Sequence, residues 1–246
     1  MRVVVLRWAA GMVSWVAAQS NAWADGPAGV RVWLPEAVTT TAPAVDRLFY
    51  LILAITGVVF LLVQATLLAF IVQYRRRPGR RAAYTHGNRL VEIIWTVIPS
   101  LILVFLTFHS QQVWSQVRGN PPPANLEIEI TAEQFAWNIR YAGADGVFNT
   151  ADDITTLNQL HLPVHETVLI RLKSKDVIHS FFVPQFRMKL DAVPCLTGRL
   201  WITTTKPGNF EIACAELCGL GHYRMRGFLT IEPDEAFHTW LAEQQK

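Results

Sequence analysis

Residues 214–225 read CAELCGLGHYRM, which places two thiols, a carboxylate, an imidazole and a thioether in twelve positions. Such a stretch is either a stapled loop or a metal centre. Cys214 and Cys218 stand four residues apart, so a disulfide between them would close only a tiny loop, and the third cysteine, Cys195, leaves an odd number. A metal accounts for more of the residues. Thiolates and imidazoles suit copper and zinc, and a weak thioether partner such as Met225 is a copper feature. A second imidazole, His179 in DVIHSFFVP, lies 35 residues before Cys214, on a predicted strand edge. Five soft or borderline donors are too many for one four-coordinate zinc. Two copper ions bridged by both thiolates use all five, with one histidine each. The remaining weak positions then fall to Met225 and to a backbone carbonyl between the cysteines, that of Glu216.

Such a site needs a rigid scaffold, and the sequence from Leu126 onward offers one. Leu126, Ile128 and Ile130 alternate with Glu127, Glu129 and Thr131, and Phe135, Trp137, Ile139 and Tyr141 repeat the period of two. Further strand-like runs occur at 167–174, 199–205, 209–214 and 227–233, separated by Pro and Gly turns, which predicts a small β-sandwich or barrel. Residues 234–246 read as a short terminal helical tail. The polar stretch GADGVFNTADDITT (143–156) interrupts this pattern. Its Asp145, Asp152 and Asp153 hint at calcium, but the spacing does not fit an EF-hand, and a solvated hairpin loop is the expectation.

Upstream of GNPPPAN (119–125), whose three prolines stop any helix, the chain changes character. Two apolar blocks, about 48–73 and 90–112, are each long enough to cross a hydrocarbon layer of about 30 Å as a helix. Arg75, Arg76, Arg77, Arg80, Arg81 and Arg89 lie between them, so the linker is expected on the cytoplasmic side and the β domain outside. Residues 1–24 carry Arg2 and Arg7, a short apolar run and Ala22-Trp23-Ala24, the pattern of an export signal. A third membrane helix is the alternative, and polar Gln19, Ser20 and Asn21 cut the run too short for it. The expected organisation is thus a signal peptide (1–24), a transmembrane hairpin (25–118), an exported β domain (119–233) and a helical tail (234–246). Removing 1–24 lowers the formal charge from +3 to 22 − 2 − 19 = +1, which argues against nucleic acid as a partner.

The pattern H-x34-C-x3-C-x3-H-x2-M, carried by His179, Cys214, Cys218, His222 and Met225, resembles the binuclear CuA site of cytochrome c oxidase subunit II. HGNRLVEIIWTVIPSLIL (86–103) resembles that family's second membrane helix, LDAVP (190–194) is similar to a segment beside its site, and the likeness runs from about Val45 to Pro233. The resemblance implies a two-helix hairpin followed by an all-β cupredoxin-like domain in a bacterial inner membrane, the domain lying on the periplasmic side. It implies that electrons pass from cytochrome c, or a similar small redox donor, through the copper pair to haem in subunit I. There dioxygen is reduced and protons are pumped, with no dioxygen chemistry in this chain. It also implies that the Glu216 carbonyl binds copper and that its carboxylate helps hold a magnesium ion shared with subunit I. Glu92, a carboxylate in an apolar span, is placed near a proton-uptake channel. The alternative for Glu92 is a helix-end carboxylate beside the cytoplasmic arginines.

Two positions depart from the family. Phe135, in QFAW, stands where many members have a tryptophan that receives electrons, and Trp137 follows two residues later. Cys195 follows Pro194 where glycine is usual, and is expected to be a buried free thiol. Other functions are weighed by the ligands. A quinol-oxidase docking subunit would not need them, a nitrous oxide reductase domain would lack the hairpin, and a copper chaperone for oxidase assembly would use a simpler thiol site.

Overall fold

The computed structural model describes residues 33–143 and 145–244; the expected export signal at 1–24 lies outside them. Pro43 and Asn88 mark the starts of two long helices, α1 (Ala42–Gln73) and α2 (Arg89–Arg118). A proline costs nothing in a first turn, where its missing N–H would be unpaired anyway. Asn88 Oδ1 accepts hydrogen bonds from the backbone N–H groups of Leu90 at 3.0 Å and Val91 at 3.3 Å, capping α2. Both helices run past the expected spans at their outer ends. At ~1.5 Å per residue the 32 residues of α1 extend about 48 Å, well beyond the hydrocarbon thickness. Apolar side chains such as Leu61, Leu68, Leu101 and Phe108 stand exposed on them, as suits helices solvated by hydrocarbon or a partner.

Gly119 ends α2, and the prolines carry the chain to a sandwich of two five-stranded sheets. The first sheet has the order β3-β2-β1-β5-β8, with β1 (Leu126–Glu133), β2 (Ala136–Tyr141), β3 (Ile154–Leu157), β5 (Thr167–Ser174) and β8 (Gly198–Thr203). The second has the order β4-β10-β9-β6-β7, with β4 (Gln159–Pro163), β6 (His179–Val183), β7 (Met188–Ala192), β9 (Gly208–Cys214) and β10 (Arg226–Glu232). The β1–β5 and β4–β10 pairs are parallel and the others antiparallel. Ile128, Ile130, Trp137, Ile139, Val168, Ile170 and Leu172 point inward at every second position, so the period of two fixes which face is core. Phe135 falls outside β2, in the β1–β2 turn, although it continues the alternation.

The core also recruits residues from before the hairpin. Val38 is fully buried among the sandwich residues, Thr40 N–H donates to Thr203 O (3.0 Å), and Thr205 N–H donates to Val38 O (2.9 Å). At the other end of the chain, α3 (Asp234–Gln244) buries Phe237 and stacks Trp240 on His161 at 3.8 Å between ring centroids. The buried Tyr141 hydroxyl accepts from His161 N–H (2.7 Å) and donates to His161 O (3.0 Å), which ties β2 to β4.

Candidate metal centre

Three short segments converge at one end of the second sheet. Strand β9 delivers Cys214, the loop after it carries Cys218 and His222, and Met225 leads into β10. The neighbouring β6 opens with His179, which is fully buried. Cys214 Sγ lies 3.8 Å from Cys218 Sγ, 4.0 Å from His179 Nδ1 and 3.3 Å from Glu216 O. On the other side, Cys218 Sγ lies 3.6 Å from His222 Nδ1 and 3.8 Å from Met225 Sδ. Each sulfur therefore has one imidazole of its own, and the carbonyl and the thioether fall on opposite sides.

The loop is held by its own backbone and by its neighbours. Cys214 N–H donates to Met225 O (3.2 Å), Ala215 N–H to Ser180 O (3.0 Å) and His222 N–H to Gly219 O (3.1 Å). From above, Gln134 Nε2 donates to Cys218 O. A Cβ at Gly221 would run into the Phe135 ring, so the β1–β2 turn sits directly on the loop and requires glycine there. Gly219 meets the same turn, and its φ of +135° adds a backbone reason for glycine. Phe135 remains 38% exposed, and Leu217, Leu220 and Tyr223 of the loop are exposed as well. Trp137 has the opposite placement. It is fully buried beneath the site, edge-on to His179 at 6.4 Å and to Phe181 at 5.7 Å, so it packs under the ligands and has no surface to offer a donor.

Charge around the site is arranged to orient His179. Its Nε2 lies 2.8 Å from Asp176 Oδ1, so a proton on Nε2 leaves the Nδ1 lone pair facing Cys214. Partial burial would raise the Asp176 carboxyl, but hydrogen bonds from His179, Val177 N–H and Gln134 N–H outweigh it and hold the group below the ordinary carboxylate range. Cys218 shows the reverse, its thiol pushed up to about 11 by burial and by the neighbouring Cys214. Two thiolates so close in a buried place become favourable only beside a cation, and the soft donors present are those copper takes. The donor set thus fits a copper centre.

The structure brings His179, Cys214, Glu216, Cys218, His222 and Met225 together and leaves Glu92 far away. Glu92 lies in the first turn of α2, 26 residues or about 39 Å along the axis from Arg118, which touches the outer domain. Cys195 corrects the expectation of a buried thiol: it is exposed, with a φ of +63°, on the turn after β7. Sequence reasoning missed Asp176 and Gln134. An aspartate three residues before a ligand histidine was the available signal for the first; the second is visible only once β1 folds over the loop.

Residues 27–113 match the family described as cytochrome C oxidase subunit II, transmembrane domain, and residues 131–231 match its periplasmic domain. An alternative cytochrome c oxidase subunit 2 of Bradyrhizobium diazoefficiens is 33% identical over 236 residues, covering 87% of this chain and 84% of that protein. The cytochrome c oxidase subunit 2 of Thermostichus vulcanus is 30% identical over 266 residues, covering 86% of this chain and 78% of the relative. Among solved structures, the periplasmic domain of cytochrome oxidase subunit II of Bradyrhizobium japonicum is 27% identical, with a TM-score of 0.46, covering 51% of this chain and 97% of that one.

Proposed function

Because this chain belongs to the cytochrome c oxidase subunit II family, we propose that its convergent ligands hold a pair of copper ions through which electrons pass from a small redox protein to haem in subunit I. The chain is an electron-transfer subunit of a respiratory oxidase, a membrane protein with a periplasmic domain. The observation that carries the copper-pair reading is the symmetry of the donors: two thiols 3.8 Å apart, each with its own imidazole. Cys214 and Cys218 would bridge the pair, with His179 and His222 at the two ends, the Glu216 carbonyl on the Cys214 side and Met225 on the Cys218 side. When bound, the copper pair supplies a one-electron store shared over both ions.

The chain's own residues do the rest. Asp176 fixes the orientation of His179, and Gln134 and the two loop glycines hold the cysteine loop against the β1–β2 turn. Phe135, the exposed ring over that loop, is the position where electrons enter, while Trp137 supports the ligands from below. The electron donor is cytochrome c or a protein like it, and the membrane is the bacterial inner membrane. The exposed Glu216 carboxylate is free to help hold magnesium at a junction with subunit I, and Glu92 serves proton uptake at the far end of α2.

Metal analysis and the visible spectrum of the purified complex test the reading. Two coppers per subunit II with thiolate-to-copper bands are expected. One copper, or zinc alone, would overturn it. A quinol-oxidase docking role would leave the donors without use, and all of them are assembled here.

A further inference from the structure

The hairpin and the residues leading into it hold the outer domain at residues 184–189, which join β6 to β7, as well as at Thr203 and Thr205. Val38 N–H donates to Gln185 O (3.2 Å), and Thr39 Oγ1 donates to Phe186 O (3.4 Å). Arg118, at the end of α2, donates to Lys189 O (2.6 Å). Between these contacts Asp46, early in α1, takes a two-pronged ion pair from Arg187, with Nε 2.6 Å from Oδ1 and Nη2 3.2 Å from Oδ2. The Arg187 side chain is only 8% exposed, and Nη1 also donates to Pro184 O at 2.7 Å. Val45, Leu48, Trp114 and Val117 line the crevice against which it lies.

The 184–189 segment is the far end of the arm that carries a ligand. Strand β6 runs from His179 to Val183, four steps of ~3.3 Å or about 13 Å. Strand β7 returns beside it in register, Val183 against Met188 and His179 against Ala192. Because β6 and β7 are paired from His179 to Val183, a shift at residue 187 is passed along the ladder toward residue 179. Ion pairs this buried contribute little net stability compared with an apolar pair of the same size. A fork that accepts a carboxylate through two parallel hydrogen bonds does fix one orientation.

We propose that Asp46 and Arg187 are a positioning pair, setting the distance and orientation of the His179 arm relative to the membrane hairpin and hence to the electron acceptor in the membrane-embedded partner. The proposal rests on the copper-pair reading above, and its test separates the two. In the purified oxidase complex, three quantities are followed: copper content and spectrum, the rate at which a reduced donor fills the centre, and the rate at which electrons leave it. A wild-type complex without two coppers would remove the copper-pair reading before any substitution is made.

Given that signature, Arg187→Met and Asp46→Asn should each leave copper content, spectrum and filling by the donor unchanged. Each should slow onward transfer on the order of tenfold, since small misplacements of reacting centres are costly. The exchange variant, Asp46→Arg with Arg187→Asp, should recover onward transfer, because aspartate tolerates the left-handed backbone at 187, where φ is +59°. Unchanged onward transfer in the single variants would overturn the proposal, as would loss of copper in parallel with transfer, which would make the pair a support of the fold. If the single variants fail to accumulate, the exchange variant decides: recovered complex with normal onward transfer supports the pair, and its absence overturns it.

Discussion

Two loops of the outer domain carry residues that bind metals elsewhere, and they use them in opposite ways. In the 214–225 loop the donor atoms face one another, and the backbone is braced by β6, β10 and the β1–β2 turn. In the 143–156 loop the carboxylates face their own chain. Asp145 Oδ1 accepts from Val147 N–H (2.8 Å), Asp153 Oδ2 accepts from Asn149 N–H (2.7 Å), and Asp152 Oδ2 accepts from Asp145 N–H (3.3 Å). Asp153 also lies 3.5 Å from the Arg140 guanidinium. Among the described residues, the one group of three or more close acidic, histidine or cysteine donors is His179, Cys214 and Cys218. A metal site therefore needs donors turned toward one another by an outside brace, and the acidic loop, whose carboxylates turn to their own backbone, shows that donor number alone does not make one.

The largest test of this contrast is Cys218→Ser. Oxygen is a poor substitute for a thiolate that copper needs, so the two-copper spectrum should vanish and turnover fall to background. The spectrum of the purified variant complex checks it, and an intact two-copper spectrum would refute the bridging role.

How much of this was legible beforehand depends on the range of the forces involved. The ligands, the helices and strands such as β5 and β10 could be read because donor type and hydrophobic period are local properties. The short strands β3, β4 and β7 were not picked out, since four or five residues such as ITTL or QLHLP give too little pattern. The burial of Val38 in the sandwich was also hidden, because its partners Gln185 and Thr205 lie far along the chain. Phe135 continued an alternation that the turn breaks, and Cys195 took the exposed, left-handed place of a turn where a buried thiol was expected.

A pair of glycine substitutions sharpens the comparison. Gly221→Ala puts a methyl group into the Phe135 ring, so it should cost about 1–3 kcal/mol of domain stability and lower copper occupancy as the brace shifts. Gly146→Ala, in the acidic loop, meets nothing within 4 Å, but its φ of +67° disfavours a side chain by about 1–2 kcal/mol. Thermal unfolding should detect both changes, while copper analysis should separate them, with full loading in Gly146→Ala.

Acid titration gives a smaller effect on the braced side. Asp191 is held below its ordinary value by the Ser180 hydroxyl at 2.7 Å and by Lys189 at 2.9 Å, on the strand that supports β6. A depressed carboxylate stabilises the fold above its unfolded value of about 3.9, and that contribution is lost as pH falls through the lower folded value. Asp191→Asn should thus be slightly less stable than the parent at pH 7, by under about 1 kcal/mol because the carboxylate is solvent-screened, and the difference should close as pH falls through the lowered folded value. A gap that widened on acidification would contradict the sign.

The smallest effect is expected from calcium. A ligand that binds only the folded state raises stability with the logarithm of its concentration over its dissociation constant, so a built site would shift unfolding visibly at millimolar calcium. In the acidic loop the carboxylate oxygens already accept from backbone N–H groups, and Thr150 Oγ1 donates to Asp152 Oδ1 at 2.7 Å. Calcium would have to displace these bonds and also face the Arg140 cation before gaining its six or more oxygens. The unfolding midpoint of the complex should therefore be the same with millimolar calcium as with chelator. A rise of several degrees that Asp153→Asn abolishes would show that this loop, too, can turn its donors outward to an ion.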